Sequence, residues 1–392
     1  MQVSISVQGR HTLACEHVPY PPERVELDAS APRPAELVQP SGPYPMPGKL
    51  RDRIGQMVLV GFRGVNALDA QLTIRNIANG TVGSVVLYDV DAETGGVRNI
   101  QSRDQVRELV ASLKAASEIP VLVAVDAEGG FYHRLKEKYG FAPTTSAAEM
   151  GSRDDLEFTR AAAGSIALQL AEIGVDMNLA PVVDLLNPAN LTVSARRSCF
   201  SSDPARVAAH ARQFILAHRD AGVLTAAKHF PGMGGVLRPY SPGLGELIEA
   251  WSSAELNPYR DLINEGILDA VLATRVTHSE LDPEFPGCLS ARIIDGLLRK
   301  EMGYNGVVIS DALEMLAIWD VYGFERGTIL AVNAGVDMLL YCNESGIVPY
   351  SDDRGPEAVQ VILDAVHRGE IAESRINEAC GRVLALKSRL RG

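Results

Sequence analysis

The chain has 392 residues and a formal net charge of −12 at pH 7; 46% of its residues are hydrophobic and 22% are charged. These proportions are typical of a globular protein that buries a large core. The acidic balance, without a run of Lys and Arg, excludes nucleic acid and anionic membranes as expected partners, because both require a concentrated basic surface.

The cysteines and the first residues indicate the compartment. The five cysteines lie far apart, and no Cys pair or Cys/His cluster has the spacing of a metal site, so we expect no metal and no cofactor. An odd, scattered set is typical of a reducing compartment. Residues 1–17 lack the positive start and long apolar stretch of a secretory signal, and no segment reads as a membrane span. We therefore expect a cytoplasmic protein.

Residues 1–48 differ in composition from the rest of the chain. Prolines are frequent from Pro19 to Pro47, and proline removes a backbone donor and favours extended chain. This composition predicts an N-terminal arm, followed by one domain over residues 49–392. The arm could wrap around that domain or bridge to a second copy of the chain in a homo-oligomer, and the sequence leaves both open.

After the arm, eight short apolar runs alternate with longer segments of helical period. Most of the runs are continuously apolar, which is typical of parallel strands covered on both faces. The predicted strands are Met57–Gly61, Gly83–Tyr88, Val121–Asp126, Gly174–Ala180, Val223–Lys228, Ala270–Arg275, Gly306–Asp311 and Val336–Tyr341. The clearest predicted helices are Gln105–Ser117, Leu156–Ile173, Pro204–Asp220 and Ala291–Met302, with two closing helices between Glu357 and Leu390.

Eight strand–helix units favour an α/β fold of the (β/α)8 TIM-type barrel class, in one domain. The rival architecture is an open, doubly wound sheet. That fold usually carries a glycine-rich phosphate turn after an early strand, and the sequence has none of the usual spacing.

Polar side chains follow several predicted strands at the point where each strand ends. They are Asp126 and Glu128, Asp184, Lys228 and His229, Arg275, and Asp311. Because the active site of a parallel barrel lies at the carboxyl ends of its strands, these residues should meet on one rim. Carboxylates with Lys, His and Arg, and without a metal cluster, suit glycoside hydrolysis. The residues alone leave aldolases, phosphate-dependent isomerases and metal-assisted hydrolases open, since these share the fold.

Five motifs in order resemble glycoside hydrolase family 3, in its β-N-acetylhexosaminidase branch. KHFPGMGG at Lys228–Gly235 is similar to the family's KHFPGHG, and VAVDAEGG at Val123–Gly130 to its AVDQEGG. NLAPVVDLLNPAN at Asn178–Asn190 and RRSCFSSDP at Arg196–Pro204 resemble its next block. LLRKEMGYNGVVISDALEM at Leu297–Met315 resembles the block that contains the nucleophile. The resemblance extends from about Leu50 to the C-terminus.

The resemblance implies a role for each matching residue. It makes Asp311 the nucleophile that forms a glycosyl-enzyme intermediate. The residues that would hold the sugar are Asp126, Lys228, His229 and one arginine of the RSF-like segment, Arg196 or Arg197. Arg134 fits the second arginine of the family's GGRVxR segment, whereas Phe131 replaces the first.

The chain departs from the family around the site. The family's single-domain branch carries Asp-Ser-His in a mobile loop after KHFPGHG, where the His acts as general acid and base. Residues 232–245 here contain no His, Asp or Glu, and Met233 replaces the histidine of the motif. Positioned acid–base catalysis contributes roughly 10²–10⁴ in rate, so a substitute is needed or the leaving group needs little protonation. The candidate substitutes are Tyr240, Glu246, His278 and Glu314.

Two further departures affect the expected substrate. Ala127 stands where the family has Gln, and Thr274–Arg275 stands where it has Ala-His. Arg275 is expected to contact the substrate and could bind a carboxylate or phosphate through its bidentate donors.

The leading hypothesis is a retaining glycosidase or transglycosidase acting on a β-linked amino-sugar or related small-molecule glycoside, with Asp311 as nucleophile. The alternative is a catalytically silent glycan-binding or regulatory protein on the same scaffold, motivated by the missing Asp-Ser-His. A third reading is a non-glycosidic barrel enzyme that uses Lys228 or Arg275 for other chemistry.

Overall fold

Eight parallel strands form the centre of the fold in the computed structural model, which describes residues 44–236, 247–248, 251–343 and 348–390. The strands are β1 (Val58–Gly61), β2 (Ser84–Leu87), β3 (Leu122–Val125), β4 (Met177–Asn178), β5 (Leu224–Phe230), β6 (Ala270–Ala273), β7 (Val307–Ser310) and β8 (Leu339–Tyr341). Seven of the eight predicted runs contain one of these strands, and the eighth, Val223–Lys228, ends two residues before its strand β5 does.

The sheet closes on itself. Its strand order is β7-β6-β5-β4-β3-β2-β1-β8, with every neighbouring pair parallel. A parallel bridge between Ile309 of β7 and Met338, the residue before β8, joins the two ends. The (β/α)8 barrel in a single domain is therefore confirmed, and the open doubly wound sheet is excluded.

Strand β4 is shorter than the sequence predicts, two residues instead of seven. The side chain of Asp176 accepts a hydrogen bond from the backbone N–H of Val123 at 2.9 Å, and Pro181 has no N–H to donate. Backbone bonds still run beyond the strand, from Leu224 to Asp176 at 2.8 Å and from Ala226 to Ala180 at 3.1 Å. The chain thus stays aligned with β5 up to the rim.

Helices surround the barrel. They are Leu50–Gln56, Gln71–Ala78, Arg103–Lys114, Ala147–Arg153, Leu156–Glu172, Pro204–Asp220, Asn257–Asn264, Leu316–Ala334, Arg354–His367 and Glu373–Lys387, with a π-helix at Arg292–Glu301. Side chains fix several of their starts: Ser102 forms a capping box with Gln105, and Asp155 accepts from the N–H groups of Glu157 and Phe158. The predicted helix Ala291–Met302 corresponds to this π-helix. Over one short segment, the hydrophobic periodicity does not distinguish a π-helix from an α-helix.

Alternation of side chains along each strand explains why the strands are apolar throughout. Leu59, Val86 and Leu122 point into the barrel and belong to the interior cluster. Their neighbours Val58 and Val85 point outward and pack against the helices. Because both faces are buried, both sets must be apolar.

Two regions bear on the remaining predictions. Of the predicted arm, residues 1–43 lie outside the described part of the chain, so its role in a homo-oligomer stays a prediction. Within the described residues, no helix is long and apolar enough to cross a membrane, and no group of three or more His, Cys, Asp or Glu is arranged to hold a metal ion.

Candidate active site

Six of the seven polar residues predicted to converge line one cavity, of about 200 Å³, at the carboxyl ends of the strands, and the seventh, Asp184, is buried behind His229. Asp126 directly follows β3, Lys228 and His229 lie in β5, Arg275 is two residues beyond β6, and Asp311 directly follows β7. Leu179, Leu272, Ala312 and Leu340 also line the cavity, and all four belong to the interior cluster of the barrel. The top of the barrel core thus forms part of the wall against which the charged groups are held.

Asp311 is a buried carboxylate held by cationic and backbone donors. Its Oδ2 accepts hydrogen bonds from the backbone N and from Nη1 of Arg275, both at 3.1 Å. Its Oδ1 accepts from the N–H of Ala312 at 2.8 Å. Burial opposes ionisation of Asp311, but the Arg275 guanidinium, the His229 imidazole and the two backbone donors outweigh burial, so the pKa of Asp311 lies below its ordinary value. The side chain is therefore an anion at neutral pH.

Lys228 joins two further carboxylates. Its Nζ lies 2.9 Å from Oδ1 of Asp126 and 2.7 Å from Oε1 of Glu128. Burial favours the neutral amine, but these two carboxylates outweigh burial and raise the pKa of Lys228. Burial likewise opposes ionisation of Asp126, and the charges of Lys228 and Arg134 outweigh it and lower the Asp126 pKa. Lys228 is thus a cation, which does not suit an amine nucleophile for Schiff-base chemistry.

Glu128 carries an unfilled acceptor. Its Oε2 is buried and has no hydrogen-bond partner among the described residues. A buried carboxylate oxygen without a donor is costly, and a hydroxyl of a bound ligand would satisfy it. Sequence reasoning placed Glu128 on the rim without assigning it a role.

His229 is held from behind by Asp184. Its Nδ1 lies 2.7 Å from Oδ2 of Asp184, and its backbone N–H donates to Oδ1 at 3.2 Å. The N–H of Met233 also donates to Oδ1, at 2.8 Å. Asp184 is fully buried, whereas the His229 side chain is 15% exposed. The imidazole therefore presents its free edge to the cavity, in a fixed orientation.

Tyr132 forms the wall next to these groups. It lies in a short antiparallel hairpin of Ala127–Gly129 with Tyr132–His133, just after β3. Its ring lies under the guanidinium of Arg196 at 4.9 Å and near Nζ of Lys228 at 5.7 Å, within the usual range of cation–π contacts. Burial raises the pKa of Tyr132 to about 12, so the phenol stays protonated. Sequence reasoning missed Tyr132. The available signal was an aromatic residue two positions after Gly130, the last residue of VAVDAEGG.

Only one of the two candidate arginines of the RSF-like segment reaches the cavity. Arg196 lines it, over the Tyr132 ring. Arg197 is exposed and does not line the cavity. The backbone at Arg197 is left-handed, with φ 61°, and this turn directs the next residues, Ser198 and Cys199, inward. No acidic partner of Arg196 occurs within the described part of the chain.

The proposed substitutes for the missing acid fall into two groups. Tyr240 and Glu246 lie outside the described residues. Glu314 is buried away from the cavity, where it accepts from Asn343 and pairs with Arg354 at 3.2 Å. His278 is also buried and does not line the cavity, and burial lowers its pKa to about 4. Neither Glu314 nor His278 is placed to protonate a leaving group.

Comparison with known proteins identifies the family of the chain. The Glycosyl hydrolase family 3 N-terminal domain matches residues 49–386. The chain is 35% identical to a β-hexosaminidase of Xylella fastidiosa over 317 residues, 79% of this chain and 87% of the relative. Its fold resembles a family 3 β-N-acetylglucosaminidase of Paenibacillus (TM-score 0.77, 32% identity, 87% of this chain and 62% of that one). It also resembles a β-N-acetylhexosaminidase of Beutenbergia cavernae (TM-score 0.75, 29% identity, 88% and 99%).

The chain therefore belongs to glycosyl hydrolase family 3, and it is a glycosidase acting on O-glycosyl bonds. Within the family it falls in the β-hexosaminidase branch, as the ordered motifs predicted.

Proposed function

We propose that the protein hydrolyses, with retention of configuration, a β-linked N-acetylhexosaminide or related glycoside, with Asp311 as the nucleophile. The observation that carries the proposal is the Asp311 carboxylate, kept ionised in the cavity by Arg275. A nucleophilic carboxylate must be anionic and accessible to the sugar, and Asp311 is an anion that lines the cavity.

The remaining groups suit a sugar ring. Asp126, Glu128 and Lys228 form a buried cluster of acceptors and donors, and the free Oε2 of Glu128 offers an acceptor to a hydroxyl. Arg196, on the exposed side of the cavity, is placed to contact the substrate from the mouth. The names of the relatives support an N-acetylhexosamine at this position, and a 2-hydroxy sugar is the alternative.

The test compares an aryl β-N-acetylglucosaminide with its 2-hydroxy counterpart, for wild type and Asp311→Asn. An aryl group leaves readily, so its release depends little on a proton donor. We expect release by wild type alone, with the β-anomer as first product in the proton NMR spectrum. Unchanged turnover by Asp311→Asn, or the α-anomer as first product, would contradict the proposed mechanism.

The silent glycan-binding protein is the second candidate, because residues 232–245 lack the Asp-Ser-His acid. Saturable binding of N-acetylglucosamine, without turnover of either aryl glycoside by folded wild type, would favour it. A cytoplasmic location and an oligomer formed through the arm are further proposals that a fractionation and a mass measurement in solution would check.

A further inference from the structure

The cavity contains a histidine–carboxylate pair that the family pattern uses only for binding. Among the described residues that line the cavity, His229 is the one histidine. It stands in the KH of KHFPGMGG, which the resemblance assigns to the sugar ring. The bond from Nδ1 to Asp184 nevertheless matches the arrangement in which a carboxylate orients a histidine for proton transfer.

From this geometry we propose that His229, oriented by Asp184, is the general acid and base of the reaction, replacing the absent loop histidine. This inference rests on the proposed function, because it requires Asp311 to be the nucleophile. It assigns His229 a step in bond cleavage, beyond contact with ring hydroxyls.

The orientation of the ring follows from its contacts. The two ring nitrogens lie on opposite edges of an imidazole, so a bond from Nδ1 to the buried Asp184 turns Nε2 away from it. No described residue donates to or accepts from Nε2. His229, Asp126 and Asp311 line the same cavity.

A second buried carboxyl group, Glu255, lies against the segment that carries Asp184. Glu255 accepts from the N–H of Leu185 at 3.0 Å and packs closely against Gly232 and Gly234 of the KHFPGMGG loop. Burial and the nearby charge of Asp184 raise the pKa of Glu255 to about 8. Asp184 in turn accepts from the backbone N–H groups of His229 and Met233 and contacts Nδ1 of His229.

The hydrogen bond to Asp184 determines which ring nitrogen of His229 carries a hydrogen. Nδ1 must carry a hydrogen to donate to the carboxylate, so Nε2 bears a proton only in the imidazolium form. The charged groups facing the ring are Asp184 behind it and Asp311 and Asp126 in the cavity, while Lys228 neutralises Asp126. The imidazolium form, with a proton on Nε2, is the form that can act as the acid.

The chemistry balances in two steps. In the first, Asp311 attacks the anomeric carbon, the glycosidic C–O bond breaks, and the leaving oxygen takes the electron pair of that bond and the proton from Nε2. In the second, the neutral Nε2 accepts a proton from water as the water oxygen attacks the anomeric carbon, and the bond to Asp311 breaks. The imidazolium and the carboxylate are both regenerated.

The experiment measures kcat/KM for dinitrophenyl, nitrophenyl and phenyl β-N-acetylglucosaminides, whose leaving groups need increasing protonation. For His229→Gln we expect a loss of roughly 10²–10⁴ with the phenyl glycoside and a much smaller loss with the dinitrophenyl glycoside. Added azide should accelerate the variant with the dinitrophenyl substrate and yield the β-glycosyl azide, because azide attacks without a base.

Lys228→Gln is the matched control. Lys228 precedes His229 in the chain and also lines the cavity, but it transfers no proton in the proposed mechanism. Lys228→Gln should lower kcat/KM by a similar factor for all three substrates. The same uniform loss in His229→Gln, without azide rescue, would overturn the proposal and return His229 to ring binding. A loss that grows with leaving-group basicity in Tyr240→Phe or Glu246→Gln, and not in His229→Gln, would also overturn it.

Two further variants separate failure of folding and of the proposed function from failure of this inference. Asp184→Asn keeps the imidazole and should show the leaving-group pattern of His229→Gln in weaker form; a uniform loss there would contradict the orienting role. The proposed function would be refuted if Asp311→Asn turned over the dinitrophenyl glycoside or if wild type did not. The present inference alone would be refuted if Asp311→Asn were inactive and His229→Gln lost kcat/KM by the same factor for all three glycosides.

Discussion

Replacement of Arg275 by glutamine should shift the pH dependence of the enzyme in a direction fixed by the structure. Nη1 of Arg275 lies 3.1 Å from Oδ2 of Asp311, and the two side chains are 15% and 12% exposed. Burial alone would raise the pKa of Asp311, and the guanidinium is the largest of the influences that lower it. Without the guanidinium, the carboxylate keeps its backbone donors and the nearby His229 imidazole.

The size of the shift follows from the distance. An opposite charge this close typically lowers a carboxyl pKa by about one to three units, and each unit corresponds to ~1.4 kcal/mol. Loss of the charge should therefore raise the pKa of Asp311. Because Asp311 must be ionised to attack, activity then disappears at a higher pH as the solution is acidified.

The assay is kcat/KM of the dinitrophenyl glycoside across the acidic range, where the leaving group needs little protonation. Arg275→Gln should move the acidic limb to higher pH, and Arg275→Lys, which keeps a positive charge, should leave it close to wild type. An acidic limb that does not move in Arg275→Gln, with a folded protein, would show that Asp311 is not the group whose ionisation controls activity.

Three other predictions follow from buried and rim charges. Lys228→Met leaves two buried carboxylates without their cation and should lower the free energy of unfolding, measured by urea titration, by about 3–5 kcal/mol. Lys300→Met removes one partner of an exposed ion pair and should change the free energy of unfolding by less than about 1 kcal/mol. Burial lowers the pKa of Lys387 to about 7 in the folded protein. Between that pH and the ordinary lysine pKa, Lys387 is protonated in the unfolded chain and neutral in the folded one, so the free energy of unfolding should rise with pH. Lys387→Met should remove this rise. Arg196→Gln should raise KM several-fold and Arg197→Gln should not, since Arg196 alone of the two lines the cavity; equal effects would contradict the placement.

The barrel was predictable because its strands are buried on both faces. Val121–Asp126 is apolar up to its terminal carboxylate, and Gly306–Asp311 is apolar up to the Ser310–Asp311 pair that ends it, so both runs mark the strand and the rim. Parallel strands share one carboxyl edge, and this rule alone brings Asp126 and Asp311 to the same cavity. These parts of the site depend on strand register, which a hydrophobic pattern specifies.

The rest of the site depends on loops, and the sequence does not specify their course. Arg196 and Arg197 are adjacent and chemically identical, and the left-handed backbone at Arg197 decides which one faces the cavity. The bond between His229 and Asp184 joins residues 45 positions apart. The ring of Tyr132 is brought under Arg196 by a hairpin turn whose geometry no periodicity predicts.

Mass spectrometry of a trapped glycosyl-enzyme tests the central claim most directly. A fluorinated N-acetylglucosaminyl fluoride, which forms the intermediate faster than it is hydrolysed, would be incubated with wild type and the protein digested. We predict one added sugar on the peptide that contains Asp311 and none on Asp311→Asn. A sugar attached to a different residue, or steady turnover of aryl glycosides by Asp311→Asn, would contradict the account.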